Sequence, residues 1–128
     1  MTTNIELLDI IKKLNIVNFR GIYCSDELSF SKTENECMII NFDTSFSNGT
    51  HWFACYVRDN VNYYFDSYGS PIPKFIKKYL NVPIYTHDFQ IQSFNKEDNE
   101  LCGQYCIIFL YLMDKGFSYQ NVVSLFLD

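Results

Sequence analysis

The stretch Leu101-Cys102-Gly103-Gln104-Tyr105-Cys106 puts a thiol and a glycine at the step between an acidic polar segment, SFNKEDNE, and a long apolar run, CIIFLYLM. A cysteine at the start of a helix meets outward-facing N–H groups and the positive end of the helix dipole. Both favour a thiolate, and a neighbouring imidazolium favours it further. Cysteine catalysis uses such a thiolate to attack a carbonyl, a histidine to exchange the proton, a third group to orient the imidazole and fixed donors for the oxyanion. The chain has a candidate for each role. Cys102 is the nucleophile, His51 in GTHWFACYV the base, and Asp66 at the end of VNYYFD the orienter. Gln92, ending IYTHDFQIQ, offers a side-chain amide beside the backbone N–H of Cys102.

Those side chains must be brought together by the elements that carry them. HWFACYV and VNYYFD are aromatic and β-branched runs around Arg58-Asp59-Asn60, the pattern of a β-hairpin. A turn centred on Asp59-Asn60 sets Asp66 opposite Phe53, and side-chain alternation puts His51 on the face of Phe53. His51 and Asp66 are then diagonal neighbours, roughly 5.5–8 Å apart at Cβ. A change of one residue in the turn would send them to opposite faces.

The remaining elements read in sequence as helix, strands, helix, strand, helix. Thr3-x-x-Glu6 has the form of a capping box before apolar Ile5, Leu7, Leu8, Ile10, Ile11 and Leu14, which predicts a helix over about 4–14. ECMIINF (36–42) is compatible with a buried strand, SFSNGT (45–50) with a turn-rich loop, and SPIPKFIKKYL with a short helix near 73–80. IYTHDFQIQ is strand-like and 93–100 reads as an exposed loop. From Cys102 through Met113, and again from Ser118, the chain reads as helical, with Tyr105, Cys106, Ile108, Phe109 and Leu112 available to bury its apolar side. Gly103 permits close approach of another group.

Each candidate also has an ordinary structural role. Cys24, Cys37, Cys55 and Cys106 read as small buried hydrophobes. His51 beside Trp52 could be a satisfied strand histidine, and Asp66-Ser67-Tyr68-Gly69 is a plausible turn in which Asp bonds its own backbone. The combination of His51-Trp52, a hairpin carboxylate and a Cys-Gly helix start favours the catalytic reading.

Composition narrows the class. At 128 residues and 48% hydrophobic content, the chain suits a single α+β domain with an ample core. A net charge of −5 and lysines scattered in short groups (Lys12-Lys13, Lys74, Lys77-Lys78) argue against nucleic-acid binding. No apolar stretch reaches the length of a membrane span, and MTTNIELLDI lacks the marks of a signal peptide. Five cysteines, an odd number without paired spacing, point to free thiols in a reducing compartment.

The ordered set GTHWFACYV, YYFDSYG, QIQ and LCGQYCIIFLYL resembles the adenovirus endopeptidase (adenain) family and its relatives in virophages and other DNA viruses, with ubiquitin-like-protein-specific proteases as more distant kin. IIKKLNIVNFRGIY is similar to the family's N-terminal helix and the Gly-aromatic segment after it, so the resemblance spans nearly the whole chain. It implies a papain-like α+β fold of the adenain type, a central mixed β-sheet with helices, and a nucleophile at a helix N-terminus. It also implies a monomeric cysteine endopeptidase without cofactor or metal, acting on capsid or other virion precursors near small residues such as glycine. The expected setting is the virion and the host-cell cytoplasm or virus factory. In that mapping Cys102 is the nucleophile, His51 the general base and acid, Asp66 the imidazole orienter, and Gln92 with the Cys102 N–H the oxyanion donors.

Departures from the family pattern are specific. Gln92 lies further before Cys102 than the family's usual spacing, which keeps Gln90 and Asn95 open as oxyanion donors. The adenoviral enzyme is activated by a disulfide-linked peptide and by DNA, whereas NVPIYTHDF has no cysteine and the chain is acidic. The chain also stops where the adenoviral enzyme continues with a further helical region, so a minimal catalytic core is expected. An isopeptidase that removes a ubiquitin-like modifier would use the same residues. A non-enzymatic zinc or interaction domain would need Cys102, Cys106, His51 and His87, yet Cys-x₃-Cys is not the usual structural zinc spacing.

Overall fold

The computed structural model describes residues 4–42, 51–91 and 101–126. In chain order its elements are α1 (Asn4–Leu14), β1 (Phe19–Cys24), β2 (Glu36–Asn41), β3 (Trp52–Arg58), β4 (Val61–Phe65), α2 (Lys74–Leu80), β5 (Ile84–Tyr85), α3 (Cys102–Asp114) and α4 (Tyr119–Leu125). The fold is α+β, and the strands form one mixed sheet in the order β1-β2-β3-β4-β5. Strands β2, β3 and β4 run antiparallel, while β1 and β5 lie parallel to their neighbours at the two edges. Thr3 and the expected loops at 45–50 and 93–100 lie outside the described residues.

The β3–β4 hairpin has the register expected from its turn. Arg58 pairs with Val61, Val57 with Asn62, and Ala54 with Phe65. Asp59 and Asn60 both take left-handed backbone angles, φ 51° and 65°. Two such residues give a turn whose twist matches that of the strands, and Asn and Asp tolerate the conformation best among residues with a side chain. The turn is tied down, because the Asp59 N–H donates to Asn35 Oδ1 and the Asn60 N–H to the Glu34 carbonyl, each at 3.0 Å.

Alternating residues of the central strands feed two cores. Cys37 and Ile39 of β2, Trp52, Ala54 and Tyr56 of β3, and Phe65 of β4 pack with Leu7 and Ile11 of α1, with α3, and with Val122 of α4. Met38, Ile40, Phe53, Cys55, Val57 and Tyr64 face the other way, onto Ile76 and Leu80 of α2. Burial on both faces explains the apolar run Cys37, Met38, Ile39 and Ile40 at the centre of β2; all residues of the strand are buried, Glu36 and Asn41 included.

Helix α3 buries Cys102, Gly103, Cys106, Ile107, Phe109, Leu110 and Met113. Ile108, expected in that stripe, is instead 46% exposed. Because α3 is apolar nearly all round, hydropathy does not mark which face meets β3, and packing selects Ile107. Tyr105 and Leu112 are only partly buried at the margin of the core. Gly116, at φ 95°, follows the end of α3, and Ser118 caps α4 by accepting the Asn121 N–H. Among the described residues no helix is long and apolar enough to cross a membrane.

Two further expectations need correction. Among the described residues of IYTHDFQIQ, only Ile84 and Tyr85 are strand, paired with Asn62 and Tyr63. Pairing ceases at Tyr63↔Tyr85 although β4 continues to Phe65, and the segment after β5 leaves the ladder. It tracks the loop after β4 instead, where the Ile91 N–H donates to the Ser67 carbonyl at 2.9 Å. Cys24 is only half-buried, since β1 ends there at the sheet edge.

The turn supplies a direct test of the hairpin. Asn60→Gly keeps the left-handed angle and the N–H donor and should leave stability unchanged or higher in urea unfolding. A β-branched Val at the same position should lower it by about 1–2 kcal/mol.

Candidate active site

His51 and Asp66 each stand one residue outside their strands, just before Trp52 opens β3 and just after Phe65 closes β4. The backbone of His51 is still held in register, because its carbonyl accepts the Phe42 N–H at 2.8 Å. The imidazole Nε2 lies 2.6 Å from Asp66 Oδ1, with side chains only 14% and 4% exposed. The same Oδ1 accepts the Tyr68 N–H at 2.9 Å. Asp66 therefore closes an Asx turn and orients the imidazole at once, so the structural and catalytic readings of YYFDSYG coexist. Tyr68 adds a second restraint by stacking its ring on the imidazole, with centroids 4.1 Å apart and planes 18° from parallel.

Cys102 is the first residue of α3 and is fully buried. Its Sγ accepts the backbone N–H of Trp52 at 3.4 Å, a donor from the residue next to His51. Helix α3 thus meets the sheet rim where the His51–Asp66 pair sits. With Nε2 committed to Asp66, Nδ1 is the nitrogen left to exchange a proton with the thiol. It is buried and makes no hydrogen bond of ordinary geometry. Burial pulls the His51 pKa down from 6.5, but the hydrogen bonds and charges of Asp66 and Cys102 more than offset it and raise it to about 9. At neutral pH the imidazole is therefore cationic, held between a carboxylate and a sulfur.

Gly103 has a steric purpose beside Cys102. A Cβ there would meet both Leu7 Cδ atoms at 3.0 Å and Trp52 Cε3 at 3.4 Å. The group that approaches closely is therefore the α1 side chain of Leu7, which clamps the start of α3 onto Trp52. The other buried thiols have no such partners. Burial pushes Cys37 up to about 12 and raises Cys55 and Cys106 as well, so all three stay protonated packing groups.

The other sequence candidates are placed less closely. Gln90 is exposed, and Gln92 and Asn95 lie outside the described residues. Among those described, no group of three or more His, Cys, Asp or Glu side chains is arranged to hold a metal ion. His87 does not join Cys102 and Cys106; its Nε2 accepts the Asp66 backbone N–H at 3.2 Å. Three features escaped the sequence reading: the Tyr68 stack, the Trp52 N–H on the sulfur, and this His87 contact. Tyr68 was at least visible within the YYFDSYG motif, whereas no periodicity or spacing pointed to His87. No family model matches the chain, and no curated protein matches it significantly.

The raised pKa of His51 has a defined consequence for stability. A group whose folded pKa lies above its unfolded value stabilises fully below the unfolded value, here 6.5, and that contribution is lost as pH rises through about 9. The difference in unfolding free energy between wild type and His51→Gln should therefore be larger at pH 6 than at pH 9.5. A difference that does not change across that window would mean that the imidazole is not held as a cation.

Proposed function

We propose that this chain is a cysteine endopeptidase of the adenain kind, using Cys102, His51 and Asp66. The observation that carries the reading is the junction itself: an imidazole fixed by a carboxylate at 2.6 Å and coupled to a cysteine at the first turn of a thirteen-residue helix. Random packing of a histidine and a cysteine gives no reason for a third group to orient the ring.

The Cys102 thiolate adds to the scissile carbonyl carbon, and the carbonyl π electrons move onto oxygen. That oxyanion is met by the Cys102 N–H at the positive end of α3, with the Gln92 side-chain amide as the second donor. The His51 imidazolium then gives its Nδ1 proton to the leaving amine as the C–N bond breaks, leaving a thioester. Water adds to the thioester carbon and passes a proton to His51, and collapse expels the thiolate. Asp66 holds the ring by Nε2 throughout, with Nδ1 toward sulfur. Because Cys102 is fully buried, a substrate carbonyl reaches it only after displacing what covers it.

The favoured substrates are virion precursor proteins cut near small residues such as glycine, and the setting is the reducing interior of an infected cell and the virion. Five cysteines, none of them in a disulfide, suit that setting. No cofactor or metal enters the reaction, and the protein is expected to act as a monomer.

A peptide electrophile ending in glycine should label Cys102 in the folded protein in preference to the other four cysteines. Half-exposed Cys24 should be the first site for a small neutral alkylating reagent above pH 8. Cys102→Ala should abolish cleavage of glycine-containing junction peptides without unfolding the chain, and Asp66→Asn should lower turnover less than His51→Ala. Gln92→Ala should cost roughly 10²–10³ in kcat with substrate binding nearly unchanged. Equal labelling of all five cysteines would remove the nucleophile assignment. Turnover of ubiquitin or SUMO fusions in preference to junction peptides would replace the endopeptidase with an isopeptidase.

A further inference from the structure

The backbone of Asp66 poses a problem of its own. Strand β5 pairs with β4 only through Asn62↔Ile84 and Tyr63↔Tyr85. Beyond Tyr85 the ladder ceases, yet Asp66 is 3% exposed and its N–H requires an acceptor. The acceptor is a side chain, Nε2 of His87, two residues past the end of β5, at 3.2 Å. The residue that orients His51 is thus itself held at its backbone by the second histidine of the chain. An N–H can donate to an imidazole nitrogen only if that nitrogen has no proton, so the contact requires neutral His87 with its proton on Nδ1.

The surroundings keep His87 in that form near neutrality. Phe65 packs against the ring at 5.4 Å between centroids, Phe89 at 6.3 Å and Tyr119 of α4 at 6.5 Å. Tyr63 and Tyr85 line the same cleft of about 480 Å³ between β5 and α4. Burial lowers the His87 pKa below 6.5, against the opposing pull of Asp66, the Phe89 backbone and Asp88. Tyr119 is itself raised by burial and stays neutral. The facing carboxyl groups are Asp66 and Asp88. His87 is not sealed off, because it also borders a second cleft beside Gly69 to Ile72. A proton can reach it.

We propose that His87 is a positioning residue for the site. As an acceptor of the Asp66 N–H it fixes the carboxylate against His51, and its protonation opposes two donors, frees the Asp66 backbone and turns the site off in acid. The imidazolium would also compete with His51 for the Asp66 charge. The catalytic consequence rests on the protease reading, but the coupling of the two histidines does not.

With only two histidines in the chain, both imidazoles can be followed by NMR titration of the full-length protein. In the wild type, His51 should titrate near 9 and its signals should show a second, acid inflection at the His87 pKa. His87→Gln retains an acceptor that does not titrate in this range, so the acid inflection at His51 should vanish while the alkaline titration stays. His87→Leu removes the acceptor, and the alkaline titration should move back toward 6.5. On a cleavable peptide, the acid limb of kcat/KM should move to lower pH in His87→Gln. Persistence of the acid inflection at His51 in His87→Gln overturns the proposal, even if His87→Leu does not fold. A wild type that cleaves no peptide but shows the predicted coupling would overturn the protease reading and leave the positioning role standing.

Discussion

The two-residue turn at Asp59-Asn60 sets the register on which the rest of the site depends. Because both residues adopt left-handed angles, strands β3 and β4 close with Arg58 against Val61, and that alignment carries ten residues of hairpin to the opposite rim. His51 and Asp66 emerge there, on the same side and 2.6 Å apart. A slip of one residue would leave a buried carboxylate without its cation, and uncompensated buried charge is among the most destabilising changes a fold can suffer. The pairing and the register therefore support each other.

The rim position resolves a conflict between faces. By strand alternation, His51 and Asp66 belong to the side of Phe53 and Tyr64, which packs on α2. Cys102 belongs to the opposite core, with Trp52 and Phe65. Within the ladder those groups would be separated by the sheet itself. At its end, one residue beyond the last pairing, the backbone no longer divides the two sides, and the start of α3 can reach across. The Trp52 N–H on Cys102 Sγ marks the crossing, and the packing of Leu7 over Gly103 holds the helix there.

Burial sets the electrostatics of the junction. In water the attraction between an imidazolium and a carboxylate is weak. In a site this enclosed each charge matters more, and the neutral alternative for His51 is disfavoured despite desolvation. The same burial acts on His87 without a carboxylate bonded to its ring and moves its pKa the other way. One acidic residue thus stands between two histidines of opposite protonation state. Its side chain keeps one charged, and its backbone keeps the other as an acceptor.

Much of this was legible in the chain. The turn residues, the alternating aromatic strands and the polar-to-apolar step at Cys102 predict the hairpin register, the His51–Asp66 neighbourhood and the helix start, because all three are short-range consequences of backbone geometry and side-chain period. The buried face of α3 was not legible, since a helix apolar all round has no stripe to read and only its neighbours choose between Ile107 and Ile108. Nor was the early end of β5, because the residues after Tyr85 exchange ladder bonds for contacts with the loop after β4, the Asp66 N–H to His87 Nε2 and the Ile91 N–H to the Ser67 carbonyl. The roles of Tyr68 and His87 are of the same kind: one is a ring stacked across a turn, the other a side chain replacing a missing ladder bond. Local sequence decided which residues could do chemistry and how the hairpin would align them. Tertiary structure decided that a helix and a strand end meet at one rim, and which second groups hold them, because contacts between segments distant in the chain leave no periodic trace in it.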